Sequence, residues 1–326
     1  MLTWICGLKI FACRLLWALL ALAAMASTYN LPWSVAEACR EVQQQLGINE
    51  DALEQPLLLS PDALLSVVVS YWNQWQPERY LNLLLLYGGQ GGAALKMQEM
   101  GYCARSLDMI NDPAENILCI KGALLTFYLV KCVVSHGTVW MSPACKSWLS
   151  FISRATYGRT CDPLGLCGDE QMFEVQCANA SAQLNTHVMF LCVVQQCFYA
   201  IEQPLNSLLF KHTEIHMILE TSGANRVVCH AGALGAPTMK PLEIYVTWPK
   251  SSAEELLQFT RKDARLYFTA KEQAPGQLAS KRGRWTCGTK QMQQSAAYPL
   301  KLCTNIAEGA VAHYLAHICH NHIAGP

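Results

Sequence analysis

The chain has 326 residues, is 52% hydrophobic, and balances 24 basic against 24 acidic side chains. That length supports the core of one large domain with an accessory segment. Zero net charge excludes a global basic field for a nucleic-acid partner, so any such surface has to be local. There are 16 cysteines. Several (Cys119, Cys132, Cys192, Cys197, Cys229) sit inside apolar runs, where cysteine behaves as a small hydrophobe. Together with the chain length this favours reduced thiols over a disulfide scaffold.

Residues 1–26 carry Lys9 and Arg14 ahead of an apolar run ending in Ala24-Met25-Ala26, as in a signal or targeting peptide. The uncharged run is about 12 residues against the roughly 20 a span requires, so no stable membrane span is expected. An anomalous start of the reading frame is the other option. Residues 27–80 have the pattern of a helical extension. Its second helix opens at Ser60-Pro61, an N-cap followed by proline at the first helical position.

The period then changes. "YLNLLLLYGGQGG" is a continuous apolar run that ends in glycines, the pattern of a buried parallel strand entering a tight turn. "GALLTFYLVKCVVSHG" is expected as a helix and "TVWMSP" as a short strand. "SAQLNTHVMFLCVVQQC" is expected as a helix, "FYAIEQP", "RVVCHAGALG" and "LEIYVTW" as strands, and "GAVAHYLAHI" as a last helix. Strands alternating with helices predict an α/β domain with a mostly parallel sheet over 81–249 and 296–326. Residues 250–295 form a separate small basic segment.

Ligands in such sheets sit beyond the carboxyl ends of the strands. Gly89, Gly91 and Gly92 let the backbone turn sharply and approach a cofactor ahead of a helix N-terminus. Asp108, at the end of the second strand, is placed to accept from a ribose hydroxyl; a helix cap or surface acid is the alternative. Cys145 follows a strand in a Pro-x-Cys turn. A helix starting there, with Lys146 adjacent, would lower its thiol pKa and make it a nucleophile; the alternative is a buried structural thiol. Glu202, at the end of an apolar strand, is expected to be desolvated and raised in pKa, suited to donating a proton to a ring nitrogen; the alternative is a capping acid. Between Gln258 and Lys290, eight Lys/Arg, among them Arg261, Lys262 and Arg284, face two acids, with Tyr267, Phe268 and Trp285 interleaved. That pattern suits phosphates and bases, or a solvated loop. The terminal "AHYLAHICHNH" places His313 and His317 on one helical face, but lacks a carboxylate or second cysteine to complete a metal site. No obligatory metal is expected.

The order of these segments resembles the C5-cytosine methyltransferase family. "YGGQGG" resembles its F-x-G-x-G-G cofactor loop, "SPACKSW" its P-P-C-Q-x-F loop and "IEQP" its E-N-V strand. "GRTCDPLG" resembles its D-x-R-G segment through Asp162 and Gly165, without the arginine. "AGALGAPTMKPLEIYV" resembles its Y-G-x-P-Q-x-R-x-R hairpin through Gly235 and Pro237, with Lys240 on the first arginine. "IAEGAVAHYLAHI" resembles its last helix. The resemblance implies a Rossmann-like methyltransferase sheet. It implies S-adenosylmethionine as cofactor, held by Gly89, Gly91, Gly92 and Asp108, and DNA or RNA as substrate. Cys145 would be the nucleophile toward cytosine C6 and Glu202 the group at ring N3. Lys240, Arg261, Lys262 and Arg284 would contact substrate. Leu85 stands where the family has an aspartate, Ala144 for its second proline, Lys146 for its glutamine and Gln203 for its asparagine. A catalytically inactive relative acting as a binding module is the alternative. The targeting-like segment suggests an organelle or secretory route, and a DNA enzyme suggests a nucleus or organelle.

Overall fold

The computed structural model describes residues 77–161, 165–236, 240–264 and 298–323, together with Cys39, Arg40, Gln43, Gln44 and Asp51. The apolar segment 1–26 and all but those few residues of 27–80 lie outside this set. So do Asp162, Pro237, and most of the basic segment including Arg284, Tyr267, Phe268 and Trp285.

Strand β1 (Leu81–Leu86) is buried at all six positions. It leads through a glycine turn into helix α1 (Gly92–Glu99) and strand β2 (Ala104–Leu107). Then follow α2 (Ile120–Lys131), β3 (Val133–Met141), α3 (Ser150–Tyr157), α4 (Phe173–Val194) and β4 (Phe198–Pro204). Helix α5 (Thr213–Thr221), β5 (Asn225–His230), β6 (Pro241–Val246), α6 (Lys250–Leu257) and α7 (Leu300–Ile323) complete the order. The six strands form one mixed sheet in the order β2-β1-β3-β4-β6-β5. Strands β1 to β4 pair in parallel, and β6 runs antiparallel to both of its neighbours. This is an α/β architecture compatible with a Rossmann-like fold.

The sheet has a core on each face, which explains the unbroken apolar run of β1. Leu84 and Leu86 face one core with Phe127 of α2, Val188 of α4 and Ile215 of α5. Leu83 and Leu85 face the other with Met97 of α1, Leu257 of α6 and Ile306 of α7. The alternation is the period-two geometry of a strand covered on both sides.

One sequence expectation needs correction. The helix expected through "KCVVSHG" ends at Lys131, and β3 begins at Val133, well before "TVWMSP". Cys132 and the β-branched pair Val133-Val134 mark the switch, and His136 takes a left-handed φ of 61° inside the strand. In the terminal helix, His313 packs between Phe198 and Trp248, and His317 stacks on His136 with ring centroids 3.5 Å apart. No group of metal-ligating side chains occurs among the described residues, and no helix among them is long and apolar enough to cross a membrane. The described cysteines, from Cys39 to Cys319, are all free thiols.

Helix α7 approaches the sheet closely at Gly309, where a Cβ would stand 2.5 Å from the buried Trp248 ring. Alanine there gains about 1 kcal/mol of helical propensity, but overpacking against a rigid ring costs ~1–3 kcal/mol. Gly309→Ala is therefore expected to lower the midpoint of urea unfolding. An unchanged or higher midpoint would show that the helix shifts freely on the sheet.

Candidate active site

The strand order reverses between β1 and β3, so the segments that follow them turn to opposite faces of the sheet and leave a crevice beyond the paired strand ends. A cavity of about 260 Å³ occupies that place. Gly89 and Gly92 line it from the first turn, Cys145 from the loop after β3, and Glu202 from the end of β4. Lys240, just ahead of β6, and Tyr298, just ahead of α7, complete its polar wall. Five of the residues singled out by sequence thus meet in one cavity.

The glycine turn is built for close approach. Gly89 and Gly91 have φ of 56° and 69°, the left-handed region that glycine enters without steric cost. A Cβ at Gly89 would point into open space, and Gly91 caps α1 with no side-chain bond to the first turn. Asp108 does not line the cavity. Its carboxylate instead braces the turn from behind, accepting from the Gly89 amide at 2.8 Å and from the Ile110 amide at 2.9 Å. Asn111 adds a bond from its side-chain amide to the Gly89 carbonyl.

The Cys145 loop is held on either side of the cysteine. Gln203, buried beside Glu202 on β4, donates to the Pro143 carbonyl at 2.6 Å and accepts from the Ser207 hydroxyl at 3.1 Å. After Cys145 comes only a three-residue 3-10 turn, Lys146–Trp148. Arg159, fully buried, lies 3.6 Å over the Trp148 ring and donates to the Ser147 hydroxyl and the Leu166 carbonyl. Burial lowers its guanidinium pKa to about 10. Sequence reading missed Arg159; its only signal was a basic residue in the "GRTCDPLG" turn.

The electrostatics correct one expectation. Cys145 has its thiol pushed up, first by burial and next by the Glu202 charge, with Lys240 opposing. The short 3-10 turn has no aligned stack of peptide dipoles to offset desolvation. Lys146 is exposed and does not line the cavity; Lys240 is the cation that acts on the thiol. Glu202 behaves as its strand position predicts. It is 6% exposed, and burial raises its carboxyl, while Lys240 and hydrogen bonds from Tyr298 and Ser142 partly offset the rise.

Tyr298 was not legible as a site residue. Its hydroxyl donates to Glu202 Oε2 at 2.6 Å, accepts from Trp140 Nε1 at 3.1 Å, and touches the Ser142 hydroxyl. Arg261 and Lys262 are exposed and lie outside the cavity lining. Gly165 accepts through its carbonyl from the Thr160 amide at 3.0 Å and closes the turn after Arg159. No protein-family model matches the chain, and no curated protein matches it either.

Two outcomes test this geometry. Alkylation of Cys145 by iodoacetamide, followed by peptide mass spectrometry, is expected to rise at higher pH than for an ordinary thiol. Glu202→Gln removes the neighbouring negative charge and shifts that rise to lower pH; an unmoved profile would separate the two groups. Gln203→Ala leaves the Pro143 carbonyl unsatisfied in a buried place, which costs about 1–3 kcal/mol. Denaturant unfolding is expected to show that loss, and a stability equal to wild type would remove the brace from the account.

Proposed function

We propose that this protein transfers a methyl group from S-adenosylmethionine to C5 of cytosine in nucleic acid through a Cys145 adduct. The observation that carries the reading is the meeting of the Gly89 turn, Cys145 and Glu202 in one cavity at the strand-order reversal. The sheet, with its antiparallel β6, is compatible with the methyltransferase class that the motif order suggests.

The residues present fit the cofactor. The turn at Gly89 leaves open space where a side chain would project, the N-terminus of α1 is free of a side-chain cap, and Asp108 stands behind it. When bound, the sulfonium supplies an electrophilic methyl group. Gly89, Gly91 and Gly92 would lie against its chain. Asp108 would serve a ribose hydroxyl only by giving up or sharing its bonds to the loop amides.

The chain's own residues do the rest. The thiolate of Cys145 adds to C6, forming a C–S bond and pushing electrons through the ring. Glu202, whose carboxyl burial raises, would deliver a proton to N3, so C5 becomes the nucleophile. C5 would take the methyl group as the demethylated thioether departs. A base then removes the C5 proton, N3 gives its proton back to Glu202, and the electrons returning to the ring expel Cys145 as thiolate. A cytosine reaches such a cavity only when turned out of a base stack. Lys240 offers a cation to a phosphate or to the base, and Arg261 and Lys262 add exposed positive charge beyond the cavity.

A second reading, a methyltransferase-fold binding module without turnover, is favoured by the raised Cys145 thiol and by Leu85 in place of an aspartate. One experiment separates the two. An oligonucleotide containing 5-fluorocytosine is incubated with the protein and S-adenosylmethionine. A covalent complex that resists denaturation is expected with the wild type and is lost in Cys145→Ala. A thermal shift with S-adenosylmethionine but no adduct would favour the binding module. Neither shift nor adduct would sink both.

A further inference from the structure

Building on the methyl-transfer reading, we propose that Tyr298 is a positioning residue that fixes the Glu202 carboxyl in the orientation from which it hands its proton to the base. The indole N–H of Trp140 can only donate, and it lies 3.1 Å from the Tyr298 oxygen. That bond occupies a lone pair of the phenol and turns its hydrogen away from the indole. The hydrogen then meets Glu202 Oε2 at an oxygen-to-oxygen distance of 2.6 Å. Ser142 closes the group against the same phenol and the same carboxyl.

The consequence falls on the other oxygen. An ionised carboxylate accepts at both oxygens, and a protonated one carries a single hydrogen. With Oε2 already receiving the phenol hydrogen, the acid proton of Glu202 sits on Oε1. Tyr298 does not compete as an acid, because burial and the Glu202 charge hold its phenol well above the ordinary range. The titratable groups that sense Glu202 are Lys240 ahead of β6, Cys145 after β3, Cys229 on β5 and Tyr298 itself. Tyr298 donates directly to the carboxyl and is itself aimed by a third residue, Trp140.

Tyr298→Phe in the full chain tests this, since it keeps the ring against Trp140 and removes only the hydroxyl. Infrared difference spectra of wild type against Glu202→Gln isolate the carboxyl C=O stretch of Glu202. In Tyr298→Phe that stretch is expected at higher frequency, from the lost hydrogen bond. Its titration is expected at higher pH, because the bond favoured the ionised form. In methyl-transfer assays on a cytosine-containing oligonucleotide, kcat should fall about tenfold or more, within the range of general-acid effects. KM should change little, and the alkaline limb of the rate profile should move up with the infrared titration. Trp140→Phe, which releases the phenol hydrogen, should move both readouts the same way and serves if Tyr298→Phe fails to fold. An infrared band and titration identical to wild type would overturn the proposal, as would a loss of kcat with an unmoved alkaline limb. If the wild type transfers no methyl group, the reading of the previous subsection fails, while the infrared comparison still decides whether Tyr298 orients Glu202.

Discussion

A buried carboxyl group has to be met by opposing charge or hydrogen-bond donors, and Glu202 draws them from three separate segments. Ser142 lies at the end of β3, Tyr298 at the entry to α7, and Lys240 at the entry to β6. An unmet buried carboxylate costs far more than any one of these contacts returns. Satisfying it therefore fixes the ends of four elements relative to one another. The same requirement explains why the last helix, distant in sequence, closes the wall of a cavity built at the ends of β1 and β3.

The neighbouring residue on β4 performs the complementary task. Successive side chains of a strand point to opposite faces, so Glu202 and Gln203 leave the same strand end in different directions. Glu202 reaches the α1 and α7 side, and Gln203 ties down the Pro143 carbonyl. Acid and nucleophile loop are thus positioned by one dipeptide. Arg159 completes the arrangement from below by clamping the Trp148 ring and the Ser147 hydroxyl. Glutamine, one methylene longer than the asparagine of the resembling motif, is the residue that spans to Pro143 here. That departure of the sequence has a structural use in this chain.

Much of the site was legible because an α/β sheet puts ligand-facing residues just past its strands. Gly89, Cys145 and Glu202 follow β1, β3 and lie within the end of β4, and each could be named from an apolar run and the polar residue after it. The junction of α2 and β3 was not legible, since "KCVVSHG" is apolar in either state and carries no glycine or proline at the break. Tyr298 was hidden for another reason. Its role depends on a contact to β4 across 96 residues of sequence, and no local pattern records such a pairing. The direction of the Cys145 shift was misjudged because a turn and a helix look alike in sequence, whereas only a helix adds peptide dipoles in line.

The raised thiol and the raised carboxyl express one constraint. Cys145 and Glu202 share a cavity with the single cation Lys240 among its lining residues, and each negative charge opposes the other. Such a pair titrates as a unit and resists carrying two negative charges together. The chemistry proposed for it needs a thiolate beside a protonated carboxyl, which is one negative charge balanced by Lys240. Addition to C6 with protonation of N3 consumes that charge and that proton in the same step, leaving a carboxylate beside a neutral thioether. The cavity thus passes from one singly charged state to another without holding a doubly charged one. Because the Glu202 charge raises the thiol, the resting pair holds its proton on Cys145, and the step requires that proton to pass to Glu202 as the base binds; the phenol bond at Oε2 leaves the other carboxyl oxygen to take it.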